Sequence, residues 1–349
     1  MTSTAPLSLG ILGCANIARQ FARDVTGSAS VNLVAVASRD QAKADAFGET
    51  FGIAARHGSY EALLDDPAVE AVYIPLPNTM HAEWSIRAAR KGKHVLCEKP
   101  LAMNLAETRA MVDAAKAADV LLIESYPYWF QPQTAALMAL LDGGEASAIG
   151  RVRSMQACFG FTVGNPETNI RLKPELGGGA LMDAGCYPLS LIRLVMGEAP
   201  ARVHAVATWT DSGVDIATMA TLLYADGRRA QMSCAMDGGG HRRATIVGVR
   251  GTVETEYLIH TSDQPDHPHG YIASQLRVRK IIPATTPFEE IRSETGSGFR
   301  FAAERFARMV AAHDTAAMAF YASASHDIAA TLEAIARSSR SGGWEDLGT

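Results

Sequence analysis

The sequence lacks the features that identify several common classes of protein. It has only five cysteines in 349 residues, and no two of them form a Cys-x-x-Cys pair, so a disulfide framework is not expected. No stretch is apolar for long enough to span a bilayer, and no Gly-x-Ser-x-Gly motif indicates a serine hydrolase. The net charge of −5, with both signs interspersed, argues against a nucleic-acid or membrane surface.

The features that are present describe an ordinary globular chain. Hydrophobic residues make up 48% of it and charged residues 20%, and the length is sufficient for two domains with substantial cores. Scattered cysteines are typical of reduced thiols, which favours a cytoplasmic location. We therefore expect no nucleic-acid partner and no membrane partner, and we predict no bound metal.

The first third of the chain alternates between strand-like and helix-like patterns. Strands are predicted at residues 7–12, 31–37, 71–76, 94–97 and 120–124, and helices at 16–25, at 79–91 and from the Asn104-x-x-Glu107 capping box to residue 118. Repeated β-α-β units of this spacing predict a parallel sheet covered by helices on both faces. This is the Rossmann arrangement of a dinucleotide-binding domain, which we place at residues 1–125.

The pattern changes near Tyr126, and we place a second domain at residues 126–349. Longer strand-like stretches joined by short turns predict a mostly antiparallel sheet, and helical patterns cover residues 179–196, 299–312 and 323–338. Three consecutive glycines at 238–240 predict a turn. The predicted fold class is therefore α/β, with an N-terminal Rossmann domain followed by a C-terminal α+β domain that contains a large, mostly antiparallel sheet.

The first strand leads into Gly13-Cys14-Ala15-Asn16-Ile17-Ala18, a degenerate form of the nucleotide fingerprint G-x-G-x-x-G/A. Gly13 permits a tight turn, and the small side chain of Ala15 lets backbone N–H groups approach a pyrophosphate. The helix that begins at Asn16 and Ile17 then points its N-terminus at the phosphates. An ordinary glycine-containing turn is the alternative interpretation.

The second strand ends at Ala37-Ser38-Arg39, where an NAD-binding fold places an acidic residue on the ribose 2′-hydroxyl. Arg39 can form a charge-assisted fork on a 2′-phosphate, and Ser38 can donate a hydrogen bond to it. Asp40 is placed to cap the next helix. The sequence therefore favours NADP as the cofactor, with NAD as the alternative, and a solvated loop charge is the other interpretation of Arg39.

A second group of polar residues can carry acid–base chemistry. Lys99 follows the strand at 94–97, and ligands bind outside the carboxyl ends of parallel strands. Asp183 and Tyr187 are four residues apart, so they share one face of a helix. Tyrosine, with a pKa near about 10, is a weak base at neutral pH unless a nearby lysine lowers that pKa. We hypothesise that Tyr187 is the general acid/base, Lys99 tunes it and Asp183 orients both. A structural Asp–Tyr hydrogen bond is the alternative.

The nucleotide turn, residues 73–81, Glu98-Lys99-Pro100 and residues 178–187 occur in an order and spacing that extend over the whole chain. Together they resemble the glucose–fructose oxidoreductase/inositol dehydrogenase/MocA family. The resemblance implies a Rossmann domain and a sheet domain that mediates homodimers or homotetramers. It also implies Lys99 as the catalytic lysine, with Asp183 and Tyr187 at the substrate site. The cofactor contacts that it implies are Pro77, Asn78, His81, Glu98 and Lys99, and Arg171 is a further expected substrate contact. A surface histidine at a helix N-terminus is the alternative for His81.

Tyr187 stands where many members of that family carry histidine, and the tyrosine form is similar to dimeric dihydrodiol dehydrogenases, NADP-dependent D-xylose dehydrogenases and sugar ketoreductases. The aromatic run at 126–133 departs from the family pattern, which leaves the substrate open. We predict an NADP-dependent oxidoreductase that transfers hydride between nicotinamide and a sugar or a related polyol or keto-sugar. The alternatives are a trans-dihydrodiol dehydrogenase, NAD-assisted glycoside cleavage, and a non-catalytic NADP(H)-binding sensor or scaffold protein.

Overall fold

The computed structural model describes residues 5–165, 167–264, 266–267, 271–280 and 285–347. Contacts among them group the chain into two compact units. The N-terminal unit comprises the chain up to Pro127 together with Ser297–His326. The sheet unit comprises Tyr128–Gly296 and the chain from Asp327 onward.

The N-terminal unit contains a parallel sheet of six strands in the described residues. The strands are β1 (Leu7–Leu12), β2 (Val31–Ala37), β3 (Ala55–His57), β4 (Ala71–Ile74), β5 (His94–Glu98) and β6 (Leu122–Ser125), and their order is β3-β2-β1-β4-β5-β6. The helices between them are α1 (Asn16–Val25), α2 (Gln41–Phe51), α3 (Tyr60–Asp65), α4 (His81–Arg90) and α5 (Leu105–Ala117). This topology confirms the predicted Rossmann arrangement, in which the order of the strands across the sheet reverses between β1 and β4.

The apolar pattern of the sequence accounts for these elements. Every residue of β4 is buried, as expected for a strand covered on both faces. Helix α1 buries one stripe, which includes Phe21 and Val25. Asp40 accepts the Ala42 N–H at the start of α2, and Asn104 accepts the Glu107 N–H at the start of α5, which confirms both predicted caps.

The sheet unit contains nine strands in the described residues, and only one neighbouring pair, between the strands at 152–162 and 229–235, is parallel. Its elements are α6 (Pro132–Leu141), β7 (Val152–Thr162), α7 (Cys186–Met196), β8 (Arg202–Trp209), β9 (Asp215–Leu223), β10 (Arg229–Ala235), β11 (Asp237–Gly248), β12 (Thr252–Glu256), β13 (Gln275–Arg279), β14 (Glu289–Ile291) and β15 (Glu345–Asp346). Their order is β14-β13-β12-β11-β7-β10-β9-β8-β15. The mostly antiparallel sheet is thus confirmed.

The predicted turn at residues 238–240 is wrong, because these glycines lie inside β11. Asp237 pairs with Thr162 and His241 pairs with Gly160, so the glycines form an irregular stretch between two paired positions. Gly160 leaves space for the His241 ring, with which a Cβ at position 160 would collide. Pairing with β7 therefore overrides the local preference of three glycines for a turn.

Helices α8 (Gly298–Ala311) and α9 (Thr315–Ser341) follow the last long strands. All of α8 and the first part of α9 belong to the N-terminal unit. Ser297 Oγ donates to Asp24 Oδ2 (2.7 Å), and the Phe299 ring packs edge-on against Phe21 with centroids 5.9 Å apart. By these contacts, residues 297–326 belong to the N-terminal unit. The sequence pattern had placed all of residues 126–349 in the second domain.

The described residues contain no membrane-spanning helix, no metal-binding cluster and no disulfide. No helix within the described ranges is both long and apolar enough to cross a bilayer. No group of three or more His, Cys, Asp or Glu side chains there could hold a metal ion. None of the five cysteines takes part in a disulfide.

Candidate functional site

The turn between β1 and α1 has the geometry that the fingerprint predicts. Gly13 has a φ of +112°, a conformation that favours glycine, and its N–H donates to Ala37 O at the end of β2 (2.9 Å). A Cβ on Gly13 would lie 2.9 Å from Leu76 Cδ2. A larger residue would therefore strain the turn and displace the Leu76 side chain.

The N-terminus of α1 carries no side-chain cap. Its N-cap residue, Ala15, has an extended backbone, and the first helical turn contains no acidic residue. By contrast, α2, α3 and α5 each begin with a side-chain oxygen that accepts a backbone N–H. The first N–H groups of a helix have no intrahelical acceptor, and together they form a site for an anion. Ala15, Asn16 and Ile17 therefore lie at a helix N-terminus that can bind an anion.

The carboxyl end of β2 presents Ser38 and Arg39. Ser38 is buried, and its Oγ accepts the Asp40 N–H at 3.2 Å. Arg39 is exposed, and its guanidinium lies beside Tyr60: burial raises the pKa of Tyr60, and the charge of Arg39 opposes that rise. Because the Asp40 carboxylate caps α2, the charge offered at the end of this strand is positive.

Additional positive charge lies near the nucleotide turn. Burial raises the pKa of the Cys14 thiol, and the charges of Arg19 and Lys43 oppose that rise, which places both cations close to the turn. Sequence reasoning missed these two residues and Tyr60. Lys43 follows Arg39 by four residues, and this spacing could have indicated it, whereas Tyr60 reaches the turn only through the fold.

Pro77 and Asn78 lie at the carboxyl end of β4. Pro77 is exposed, and Asn78 begins the short 3-10 turn Asn78–Met80 before α4. In a parallel sheet the carboxyl ends of the strands share one edge. The two residues therefore lie at the same sheet edge as Gly13 and Arg39.

His81 lies inside the N-terminal unit rather than at its surface. The side chain is fully buried, Nδ1 is 2.9 Å from Pro100 O, and Nε2 is 2.8 Å from Leu76 O. Burial lowers the pKa of His81, and the two carbonyl groups oppose that shift. The surface-histidine alternative is therefore wrong. The ring lies between carbonyl oxygens of the loop after β4 and the loop after β5, and the cofactor contact expected of His81 stays a prediction.

Lys99 directly follows β5 and is half-buried. The residue before it, Glu98, is buried and accepts a hydrogen bond from Tyr73 Oη (2.7 Å). The Tyr73 ring stacks on Phe21 with centroids 3.8 Å apart. The backbone that carries Lys99 is therefore anchored to the core of the sheet on its N-terminal side.

Glu124 anchors the same loop on the other side. Its Oε1 accepts the Leu101 N–H (2.9 Å) and Tyr126 Oη (2.7 Å), and its Oε2 accepts Ser325 Oγ (3.0 Å). Burial raises the pKa of Glu124, and these hydrogen bonds together with the charge of Lys99 oppose the rise. Sequence reasoning missed Glu124. The only signal was an acidic residue inside an otherwise apolar strand.

In the sheet unit, Asp183 lies on a π-helical turn, Leu181–Gly185, that continues into α7. The single helix predicted at 179–196 is therefore irregular where Asp183 lies, and such turns are frequent at functional sites. Arg171 Nε donates to Asp183 Oδ2 (2.6 Å), with side chains 41% and 16% exposed, respectively. The structure thus joins two predicted substrate residues in one ion pair.

Asp215, the first residue of β9, holds the π-helical turn in place. Its Oδ2 accepts the Leu181 N–H (2.8 Å) and Thr218 Oγ1 (2.7 Å). Burial raises the pKa of Asp215, and these hydrogen bonds oppose the rise. A Cβ on Gly179 would collide with the Asp215 carboxylate, so glycine is required there. Sequence reasoning missed Asp215, because no motif connects it to the glycines that precede Asp183.

Tyr187 is buried among aromatic rings. Its ring centroid lies 5.0 Å from that of Phe159 in an edge-on contact and 6.2 Å from that of Tyr128. Tyr128 Oη is 2.7 Å from Ser190 Oγ, which in turn donates to Tyr187 O (2.8 Å). Trp129 Nε1 donates to Tyr128 Oη (2.8 Å). The aromatic run at 126–133, which departs from the family pattern, therefore supplies part of the surroundings of Tyr187.

Two family models match the chain in succession. The model of the GFO_IDH_MocA oxidoreductase family, NAD-binding Rossmann fold, matches residues 7–126. The model of the GFO/IDH/MocA C-terminal domain matches residues 134–254. Together the two matches cover the parallel sheet and the larger part of the second sheet.

Individual proteins are similar over most of the chain. D-xylose 1-dehydrogenase (NADP(+)) 2 of Haloferax volcanii is 41% identical over 232 residues, which cover 66% of this chain and 70% of the relative. Trans-1,2-dihydrobenzene-1,2-diol dehydrogenase of Danio rerio is 33% identical over 285 residues, 80% of each chain. The crystal structure of a 3-ketoreductase from Actinomadura kijaniata in complex with NADP and TDP-benzene matches with a TM-score of 0.82 and 27% identity, over 95% of this chain and 98% of that one.

Proposed function

Because the chain belongs to the GFO/IDH/MocA family of oxidoreductases, we propose that it transfers hydride between NADP and a sugar or a related polyol or keto-sugar. The observation that carries the proposal is the position of Lys99 directly after β5. The carboxyl ends of β1 and β2 lie at the same edge of the sheet and carry Gly13 and Arg39. One edge therefore offers a turn for a pyrophosphate, a cation for a 2′-phosphate and a lysine for the reacting group.

The residues at this edge fit NADP. The uncapped N-terminus of α1 provides donors for the pyrophosphate, and Ser38 and Arg39 provide a hydroxyl group and a guanidinium for the 2′-phosphate. The H. volcanii relative is named as NADP(+)-dependent, and the A. kijaniata structure holds NADP. Bound NADP would supply the hydride acceptor or donor. Pro77, Asn78, Glu98 and Lys99 remain the other proposed cofactor contacts.

The proton of the reaction is assigned to Tyr187. A hydroxyl group with a usual pKa of about 10 needs a neighbouring positive charge to serve as a base near neutral pH, and Lys99 is the proposed source of that charge. Asp183, held by Arg171 at 2.6 Å, is proposed to orient the reacting hydroxyl group. Each assignment concerns one side chain and is tested by its own variant.

The experiment measures reduction of NADP⁺ with a panel of aldoses, polyols and dihydrodiols, for the wild type and for Lys99→Ala and Tyr187→Phe. Loss of a positioned acid/base group lowers turnover by about 10²–10⁴-fold, and Tyr187→Phe retains NADPH binding, which is followed by fluorescence. Lys116→Ala, which alters a lysine of α5, is the matched control. Undiminished turnover in both variants would show that the assigned mechanism is wrong.

A second substrate class has support of its own. The dihydrodiol dehydrogenase of D. rerio covers 80% of the chain, and Tyr187 lies against Phe159 and Tyr128. Aromatic faces pack well on a flat unsaturated ring. Relative kcat/KM for a trans-dihydrodiol and for D-xylose in the same panel decides between the two classes. A sensor or scaffold without turnover predicts NADPH binding but no absorbance change with any substrate.

The open face of the sheet supports the proposed homodimer or homotetramer. Val206 and Met219 on this sheet are 58% and 62% exposed, although both are large and apolar. Substitution Met219→Glu would place a charge on that face and lower the molecular mass measured by light scattering. An unchanged mass would argue against assembly through this face. We further propose a cytoplasmic location, which agrees with the absence of disulfides among the five cysteines.

A further inference from the structure

Arg242 lies on the covered face of the sheet, at the end where Tyr187 packs. It is in register with Phe159 across the β11–β7 pair, and neighbours of Phe159 on the same face, Met155 and Ala157, are buried. The next residue, Arg243, points to the opposite face because side chains alternate along a strand. Arg243 is 70% exposed and lies 3.7 Å from Glu256.

The guanidinium of Arg242 lies over an aromatic ring. Its Cζ lies 4.8 Å from the centroid of Phe159, and the Phe159 ring is in edge-on contact with Tyr187 at 5.0 Å. Only one aromatic ring therefore separates this cation from the tyrosine to which we assign the proton. Its charge also acts on the buried Tyr257, whose hydroxyl group donates to Cys158 O (2.7 Å).

Arg242 has no counter-charge in the part of the chain that the structure describes. No carboxylate there lies within 4.0 Å of it, and its Nε is buried without a hydrogen-bond acceptor. The second arginine of this region, Arg171, is different. It stacks on Phe161 at 5.6 Å, and Asp183 neutralises it. Each arginine thus lies over a phenylalanine ring of β7, but among the described residues only Arg171 is paired with a carboxylate.

A guanidinium remains charged at all physiological pH values, and a partly buried charge is stable only when it is paired. Its planar fork matches the two oxygens of a carboxylate or a phosphate. Burial raises the pKa of Tyr257, the tyrosine on which the charge of Arg242 acts, so burial disfavours a phenolate there. No negative group among the described residues completes this site, and an anion from outside the protein would complete it.

We propose that Arg242 is a substrate-binding residue that pairs with a carboxylate or phosphate group on the sugar, away from the reacting carbon. This inference rests on the proposed function, because it places the anion next to the assigned acid/base Tyr187. It names a substrate class: sugar acids or sugar phosphates rather than neutral sugars. The contact with Phe159 keeps the guanidinium on the covered face of the sheet.

The test compares D-glucose, D-glucuronate and D-glucose 6-phosphate. The three sugars have the same ring, and each has a free anomeric carbon. We expect kcat/KM with NADP⁺ to be about tenfold to hundredfold higher for at least one charged sugar than for glucose, the range expected for a charge-assisted fork. In Arg242→Met that ratio falls to near one, whereas Arg242→Lys retains part of it. Arg243→Met, the neighbour on the opposite face, keeps the wild-type ratio. The charged sugar that is preferred identifies carboxylate or phosphate as the source of the anion.

Calorimetric binding of the charged sugar to the NADPH complex separates failure of this inference from failure of the proposed function. Binding that depends on Arg242, without turnover of any sugar, would support the proposed anion site and contradict the proposed reaction. If charged and neutral sugars are turned over equally well, and Arg242→Met does not change this, the proposed anion site is wrong and the proposed reaction stands.

Discussion

Arg171 and Asp183 form one ion pair, with Nε and Oδ2 separated by 2.6 Å. The sequence indicated both residues, but as separate contacts of a substrate. Their pairing makes Arg171 a partner of the proposed catalytic carboxylate, and the ring of Phe161 lies 5.6 Å from its Cζ. A substitution at either position therefore changes the environment of the other.

This pairing predicts that substitutions at the two positions are not additive. Arg171→Met and Asp183→Asn should each lower kcat/KM, while the double variant should lose less than the sum of the two in free energy. The coupling energy is expected to be about 0.5–1 kcal/mol, because the arginine side chain is 41% exposed and solvent screens the pair. A double-mutant cycle on kcat/KM measures it, and strict additivity would show that the pair does not act as a unit.

Arg39 provides the second prediction. Loss of a charge-assisted contact to the 2′-phosphate costs about 1.5–3 kcal/mol, so Arg39→Ala should raise the dissociation constant of NADPH by about tenfold or more. The dissociation constant of NADH should change little, since NADH has no 2′-phosphate. Fluorescence titration measures both. Arg90→Ala, at the exposed end of α4, is the control. Equal weakening of both cofactors would exclude Arg39 as the selective residue.

The third prediction concerns His81, which holds the Leu76 and Pro100 carbonyl groups from inside the unit. Substitution His81→Ala removes the ring that lies between these two carbonyl groups at a fully buried position, and we expect the free energy of unfolding to fall by about 2–4 kcal/mol. Chemical denaturation measures the change. His313→Ala alters a side chain that is 55% exposed and should change stability by no more than about 0.5 kcal/mol. An unchanged free energy of unfolding in His81→Ala would contradict the role of His81 in bracing the two loops.

The parts of the fold that were predictable are those with a complete local pattern. Strands β1 and β2 and helix α1 have the predicted bounds, because apolar runs and a fingerprint define them within a few residues. Strand β3 and helix α3 have three and six residues, which is fewer than two hydrophobic periods each, and were missed. Such short elements depend on tertiary contacts, which a short stretch of sequence does not show.

The candidate site divides in the same way. Gly13, Arg39 and Lys99 were found because each follows a strand, where the fold itself places ligands. Tyr60, Glu124 and Asp215 support those residues or the π-helical turn, yet each is joined to its partner through the tertiary structure alone. His81 was found by its motif, but its burial was not, because sequence spacing at a helix N-terminus does not distinguish an outward from an inward ring.

Glu124 gives the last prediction, a dependence of stability on pH. Burial raises the pKa of this carboxyl group in the folded state above its usual value of 4.5. The folded state therefore binds the proton more tightly than the unfolded state, and the wild type loses stability as the pH rises from the unfolded pKa through the folded one. Glutamine cannot ionise, and its Oε1 can still accept the Leu101 N–H and Tyr126 Oη, so Glu124→Gln should lack this loss.

The stability of Glu124→Gln relative to the wild type should therefore increase with pH. Denaturant unfolding at several pH values between 4 and 8, in the range set by the usual carboxyl pKa of about 4.3 and the upward shift, measures the difference. Asp113→Asn, at an exposed position of α5, controls for the removal of one negative charge. A constant difference across this range would show that the protons bound by Glu124 are the same in both states. The anchor of the Lys99 loop would then be a carboxylate that the protein holds without an electrostatic cost.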